Sequence, residues 1–234
     1  MAPLSAMRSI GGDFLRRLVR VADAALRRLG GVSEFETADD GLLRIAEGHA
    51  EHDFVFRDGT HVRQGQSVID LHLWNEHLPR FPYGGLELRW KKRVRQQLMA
   101  SLHRLAFRIV DNTRLQGAQA LRMTISIPIL GQQSLLARLL ISTGFEAGEL
   151  ASRKSAILRF LDNIWAWLLT WTYNPRALVG WRFNRTRAEF WMSRSRCLAL
   201  YGDGATIGPN ARGRPRRICY ERSTLECGRE KSEP

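Results

Sequence analysis

Cysteine is scarce, with only Cys197, Cys219 and Cys227 in a chain of 234 residues. None has a CxxC neighbour or a histidine at zinc-finger spacing. That excludes a disulfide scaffold and a zinc ribbon, and it suits reduced thiols in a cytosolic protein. Long hydrophobic runs are missing too: no stretch reaches the about 18 uncharged apolar residues of a membrane span. G-x-S-x-G, HExxH and the P-loop are all absent, so no acyl-transfer, zincin or nucleotide motif announces a reaction, and no cofactor or metal is expected. Acidic residues are the last shortage, 23 against 36 Lys and Arg, for a net charge of +13. What remains is an ordinary globular composition, 44% hydrophobic and 25% charged, long enough for one domain with arms.

The charge is not spread evenly. Residues 1–30 hold six arginines against two aspartates, residues 31–150 balance to zero, and residues 151–234 carry +9. A neutral body with basic extensions at both ends is implied, and the preference for polyanions belongs to the extensions.

Residues 13–29 read as an amphipathic helix, with Asp13 as cap and Gly30-Gly31 as stop. Phe14, Leu18, Val21, Ala25 and Leu29 form one stripe, while Arg16, Arg17, Arg20, Arg27 and Arg28 take the rest of the circumference. The arginines interrupt any signal-peptide core. The stripe either packs on the body or lies on an external surface.

In the body, Leu42–Ile45 and Phe54–Phe56 are short strand-like runs, and residues 67–74 alternate. Ile69, Leu71 and Leu73 share one face there; Asp70 and His72 share the other. Between Leu86 and Val110 the period becomes 3.6, with Trp90, Val94, Leu98, Leu102, Leu105 and Ile109 on one stripe. Residues 121–129 alternate again, and 132–142 suit a second helix closed by Gly144. This order predicts an α+β fold: a small, mostly antiparallel sheet packed on a long amphipathic helix, with helical basic extensions at both ends.

Residues 151–173 suit another helix, Trp- and Leu-rich. At about 1.5 Å per residue its apolar part reaches roughly 22 Å, short of the ~30 Å of a bilayer core. Five of the seven tryptophans, Trp165, Trp167, Trp171, Trp181 and Trp191, fall in 151–201 among Arg176, Arg182, Arg185, Arg187, Arg194 and Arg196. Residues 151–201 therefore read as a Trp/Arg-rich helical segment, and 202–234 as a disordered basic tail.

The run Gly65-Gln66-Ser67-Val68-Ile69-Asp70-Leu71-His72-Leu73-Trp74-Asn75-Glu76, followed by a long amphipathic helix, resembles the YkoP-like domain of bacteria, found alone or attached to polysaccharide deacetylases. Leu71-His72-Leu73 and Asn75 carry the match; residues 123–127 and Gly144-Phe145 sit where such domains place a strand and a Gly-Phe turn. The resemblance covers about 40–150. It implies an α+β domain linked to envelope lipid or polysaccharide metabolism, and supplies no catalytic residues.

Asp70 and His72 on one strand face suit a base–orienter pair, with Glu76 next in line, so Asp70, His72 and Glu76 are the catalytic candidates. His72, Asn75, Glu76 and His77 are the candidate ligand-binding residues. No nucleophile accompanies them, and the foremost reading is structural: His72 and Asn75 hydrogen-bond backbone at a strand end while Trp74 packs on the long helix, with ligand binding next. Binding therefore stands ahead of catalysis. In the arms, indoles beside guanidinium groups suit a lipid headgroup layer. The anionic-surface candidates are Arg16, Arg17, Arg20, Trp165, Trp167, Trp171, Arg176, Trp181, Arg182 and Arg185. The expected protein is an accessory or binding module at the cytoplasmic face of the inner membrane. An envelope-synthesis protein and a second copy of the chain are its other partner classes. An enzyme on a lipid-linked or sugar substrate is the first alternative. A nucleic-acid-binding protein is the second, weakened by the neutral body and the lack of a recognition motif.

Overall fold

The structure, a computed structural model, describes residues 4–35, 41–82, 88–128, 135–150, 156–178 and 185–202. Its helices are α1 (Leu4–Leu29), α2 (Leu88–Asp111), α3 (Thr113–Gln116), α4 (Leu135–Ser142), α5 (Ala156–Tyr173) and α6 (Arg194–Tyr201). Its strands are β1 (Leu43–His49), β2 (Phe54–Val55), β3 (His61–Val62), β4 (Ser67–Leu73), β5 (Ala120–Pro128), β6 (Glu146–Leu150) and β7 (Arg185–Ser193).

Alternation in β4 sets up two unlike faces, and its neighbours keep the same phase. β1 pairs with it antiparallel, from Leu43 opposite Leu73 to His49 opposite Ser67. β5 lies on its other side and runs parallel, with Ile69 level with Leu121 and Leu71 with Met123. A parallel neighbour cannot be reached by a hairpin, so the chain crosses over through α2 and α3. β7 then pairs antiparallel along the whole of β5, and β6 closes the edge, giving the order β1-β4-β5-β7-β6. The fold is α+β, a mixed five-stranded sheet packed with helices.

One sheet face carries the core. Ile45, Ile69, Leu71, Leu121, Met123, Ile125, Phe190 and Met192 meet the α2 stripe of Val94, Leu98, Leu102, Leu105 and Ile109, with Leu140 of α4 and Tyr201 of α6 alongside. Each such aliphatic side chain contributes about 1.5–3 kcal/mol on burial, so this layer holds the fold together. The thiol of Cys197 lies within it, and burial pushes its pKa up to about 12.

The other face is mostly charged. At one end Phe54, Phe56 and Val62, from the β2–β3 hairpin and the residue after β2, cover Val68, Ala120 and Trp191 in a small second cluster. Over the rest lie α1 and α5.

Two expectations need correction, and a third cannot be placed on the described residues. Residues 185–193 are a strand in the body of the sheet rather than part of a helical extension. The folded body therefore does not stop near 150. α1 begins at Leu4, so Asp13 is no cap; it lies inside the helix, paired with Arg16 at 3.6 Å. The tail expected over 202–234 lies, from residue 203 on, outside the described residues.

Candidate functional site

The charged face is assembled by register. Arg44 stands opposite His72, Asp70 beside Arg122, Arg122 opposite Trp191, Thr124 opposite Glu189 and Ser126 opposite Arg187. Arg122 is buried and donates to Asp70 twice, Nε to Oδ1 at 2.7 Å and Nη2 to Oδ2 at 3.0 Å. This bidentate fork sits over the Trp191 ring, 5.5 Å from its centroid. Gly48 of β1 makes room for it, since a Cβ there would meet Asp70 Oδ2 at 2.1 Å. Glu189, also buried, accepts from Trp191 Nε1 at 3.1 Å and lies 3.5 Å from His52 Nε2.

The roof is clipped to this floor by polar contacts. Asp162 of α5 pairs with Arg187 at 3.0 Å, and Asn163 Nδ2 donates to the Arg185 carbonyl at 3.1 Å. Arg185 turns inward, donating to Ser126 Oγ at 3.1 Å and to the Ser126 carbonyl at 2.7 Å; burial pulls its pKa down. Between floor and roof is a cleft of about 640 Å³. His72, Thr124, Ser126 and Arg122 line its floor; Trp165, Ala166 and Leu169 line its roof. The His72 ring is open to cleft solvent yet walled by protein. That crowding lowers its pKa, Asp70 opposes the shift, and Arg122 and Arg187 reinforce it. His72 is therefore a neutral imidazole at neutral pH, suited to accept or donate one hydrogen bond to a polar ligand.

The catalytic candidates do not converge. Asp70 is committed to Arg122. Glu76 pairs with Arg44 Nη1 at 3.3 Å and Arg27 Nη2 at 3.4 Å. His77 stacks on Trp74 with centroids 3.9 Å apart, its Nδ1 2.8 Å from the Gly41 carbonyl. Asn75 lines the cleft with His72. Among the described residues no group of His, Cys, Asp and Glu is placed to hold a metal ion.

The arms show an inversion. Val19 and Asp23 of α1 are buried, and with Arg16 and Arg27 they form the row that meets the body. Asp23 accepts from Tyr173 Oη at 3.2 Å and lies 3.4 Å from Arg27 Nε; burial, then Glu76, raises the Asp23 pKa against the pull of Arg27. Arg16 lies over the Trp171 ring at 4.9 Å, and Arg20 over Tyr173 at 5.9 Å. The apolar stripe consequently points away: Phe14 is 63% exposed, Val21 68% and Leu29 85%, with Leu18 between them also exposed. Arg17 and Arg28 are exposed along its margin.

On α5 the cleft side carries Asp162, Asn163, Ala166 and Thr170. The other side carries exposed Ile157 and Phe160 and half-exposed Ile164, Trp167 and Trp171. Trp167 and Trp171 stack at 6.3 Å. Trp165 instead lines the cleft, as Arg185 does. Trp191, one of the five tryptophans of the Trp/Arg-rich segment, is fully buried against Phe54. Arg176 follows α5 in a 3₁₀ turn (Pro175–Leu178). Trp181 and Arg182 lie outside the described residues.

Among the described residues no helix is long and apolar enough to cross a membrane. No protein-family model, curated protein or solved structure matches the chain. The buried charges Arg44, Arg122 and Glu189 escaped the sequence reading. For Glu189 the signal is alternation: Arg185, Arg187, Glu189 and Trp191 are every second residue of one strand, with Thr186, Ala188, Phe190 and Met192 between them.

Proposed function

We propose that the protein is a binding or accessory module that docks on an anionic membrane surface through α1. The observation that carries this is the outward stripe of Phe14, Leu18, Val21 and Leu29, bordered by Arg17 and Arg28. An apolar row bordered by guanidinium groups matches a bilayer interface, where the row enters the acyl boundary and the arginines meet anionic headgroups. Each basic residue near such a surface contributes about 1 kcal/mol, and each inserted Leu or Phe side chain up to about 1.5–3 kcal/mol. The Leu71-His72-Leu73 resemblance supports placing the module in envelope lipid or polysaccharide metabolism, at the cytoplasmic face of the inner membrane.

Vesicle flotation of the full chain tests this. Flotation is expected with phosphatidylglycerol vesicles at low salt, to weaken as salt screens the arginines, and to fail with phosphatidylcholine alone. Leu18→Glu with Val21→Glu should abolish it without altering the circular dichroism spectrum, since both side chains face away from the body. Unchanged flotation of that double variant would sink the proposal.

The cleft supports a second reading, as the seat of a small polar ligand held by His72 and Asn75. This is also where an enzyme's substrate would bind. Neutral His72 between fixed guanidinium groups is the observation in its favour.

A further inference from the structure

A second concavity opens on the other side of α1, of about 670 Å³. It is bounded by α1, by the segment from Glu76 to Arg80, and by the end of α5 with the following 3₁₀ turn. Arg16, Arg20, Arg27, Arg80 and Arg176 line it, against the single carboxylate of Glu76. Glu76 is already spent on Arg27 and Arg44. An excess of guanidinium charge is therefore gathered in one hollow.

The hollow is built rather than incidental. Buried Asn174 holds the segment around Arg80 with both ends of its amide: Oδ1 accepts from Phe81 N at 2.9 Å, and Nδ2 donates to the Pro79 carbonyl at 3.1 Å. Arg80 is the residue between these two anchors. Arg16 and Arg20 rest on the rings of Trp171 and Tyr173. Stacking uses the guanidinium faces and leaves N–H edges for a ligand; on Arg16 the Nη1 edge lies 3.6 Å from Asp13, so its Nε is the donor left over. Thr172, only 6% exposed, also lines the hollow, and its Oγ1 has no hydrogen-bond partner among the described residues. Arg16 Nε is likewise buried without a partner among them. Buried donors normally find acceptors, so two left over beside the same cationic hollow point to an acceptor that the chain itself does not provide.

We propose that this hollow is a site for a phosphate-bearing ligand, its phosphoryl oxygens received by Arg16, Arg20, Arg80 and the Thr172 hydroxyl. Forked guanidinium groups match the several acceptor oxygens of a phosphomonoester or diphosphate better than a lone carboxylate. The volume leaves room for the group that carries the phosphate, whether the headgroup of a lipid or a soluble molecule. The site stands on geometry separate from the outward stripe of α1.

Calorimetric titration of the full chain with inorganic pyrophosphate is the test. Saturable binding is expected, weakened about tenfold by Arg80→Ala, as for loss of one charge-assisted hydrogen bond. Arg108→Ala, on the exposed side of α2, should leave it unchanged. Thr172→Val should also weaken pyrophosphate while leaving the melting temperature the same or higher, because it removes an unpartnered buried hydroxyl and keeps the shape. A merely structural threonine would give the opposite pattern. Absence of saturable binding, or equal loss in Arg108→Ala, overturns the site. With vesicles containing phosphatidic acid, loss of binding in Arg80→Ala assigns the phosphate to a lipid. Retained vesicle binding beside lost pyrophosphate binding assigns it to a soluble ligand. Since the pyrophosphate arm contains no lipid, its failure is distinct from failure of membrane docking.

Discussion

Asp70 is held by a specific debt of charge. Arg122 has little access to water, and its guanidinium is answered at close range by the Asp70 carboxylate. Removing one member of a buried pair strands the other, at a cost of about 3–5 kcal/mol. Asp70→Ala is expected to lower the unfolding free energy by about that much in urea titration. Glu51→Ala, which removes a mostly exposed carboxylate 3.8 Å from the same arginine, should change it by no more than about 0.5–1 kcal/mol. Similar losses in both variants would mean that Arg122 is balanced by the whole acidic surround and not by this fork.

His72 makes a prediction of different sign. Its folded pKa lies below the ordinary value of 6.5, chiefly through desolvation. Below that ordinary value the unfolded chain takes up a proton that the folded chain refuses, so stability is lost as pH falls from 6.5 toward the folded pKa. His72→Gln should flatten this part of the pH–stability profile. Asp23 works in the opposite sense: its raised folded pKa makes the fold gain stability as acid protonates it, toward its ordinary 3.8. The comparison is therefore between the variant and the parent chain at each pH, not between pH values in one protein. A profile from pH 7 to 5 that is identical in the two proteins would refute the assignment.

Elements whose pattern serves the apolar core were legible from their residues. The α2 stripe and the alternation of β4 and β5 each place apolar side chains on the buried face, and the structure uses them so. α1 shows why pattern alone falls short. Its period was visible, but which row meets the body depends on distant partners: Tyr173 for Asp23, Glu76 for Arg27, and the rings beneath Arg16 and Arg20. A helix with specific ion pairs on one row docks by that row, and its apolar row is left outside. β7 was missed for a related reason. Its alternate residues are Arg, Arg, Glu and Trp, which resemble a surface segment unless the facing strand is known to present Arg122 and Ser126 for them to meet. Asp70 and His72 were legible as face-sharing neighbours, whereas the diversion of Asp70 to Arg122 depends on a strand 52 residues away in the chain. No local spacing encodes that contact.

For the molecule as a whole, the position of β7 decides what can fold alone. A piece comprising residues 31–150 contains the stretch that carries the YkoP-like resemblance, yet it lacks the strand that joins β5 to β6. Without β7, β5 keeps only its short parallel pairing with β4 and has one edge bare along its whole length, and β6 has no neighbour in the sheet. Phe190 and Met192 vanish from the main core, and Trp191 from the second cluster. An unpaired central edge with apolar side chains on one face favours association over folding. The 31–150 piece is therefore expected to bind a hydrophobic dye, to lack near-ultraviolet circular dichroism and to melt without a cooperative transition. A piece comprising 12–202, which keeps all seven strands and the docked part of α1, should melt cooperatively. A sharp melt from 31–150 would instead mean that β7 is an accessory strand on a self-sufficient body. The distinction bears directly on membrane binding. If 31–150 is unfolded, its vesicle adsorption reports exposed core rather than a native surface, and only variants such as Leu18→Glu with Val21→Glu in the full chain isolate the contribution of α1.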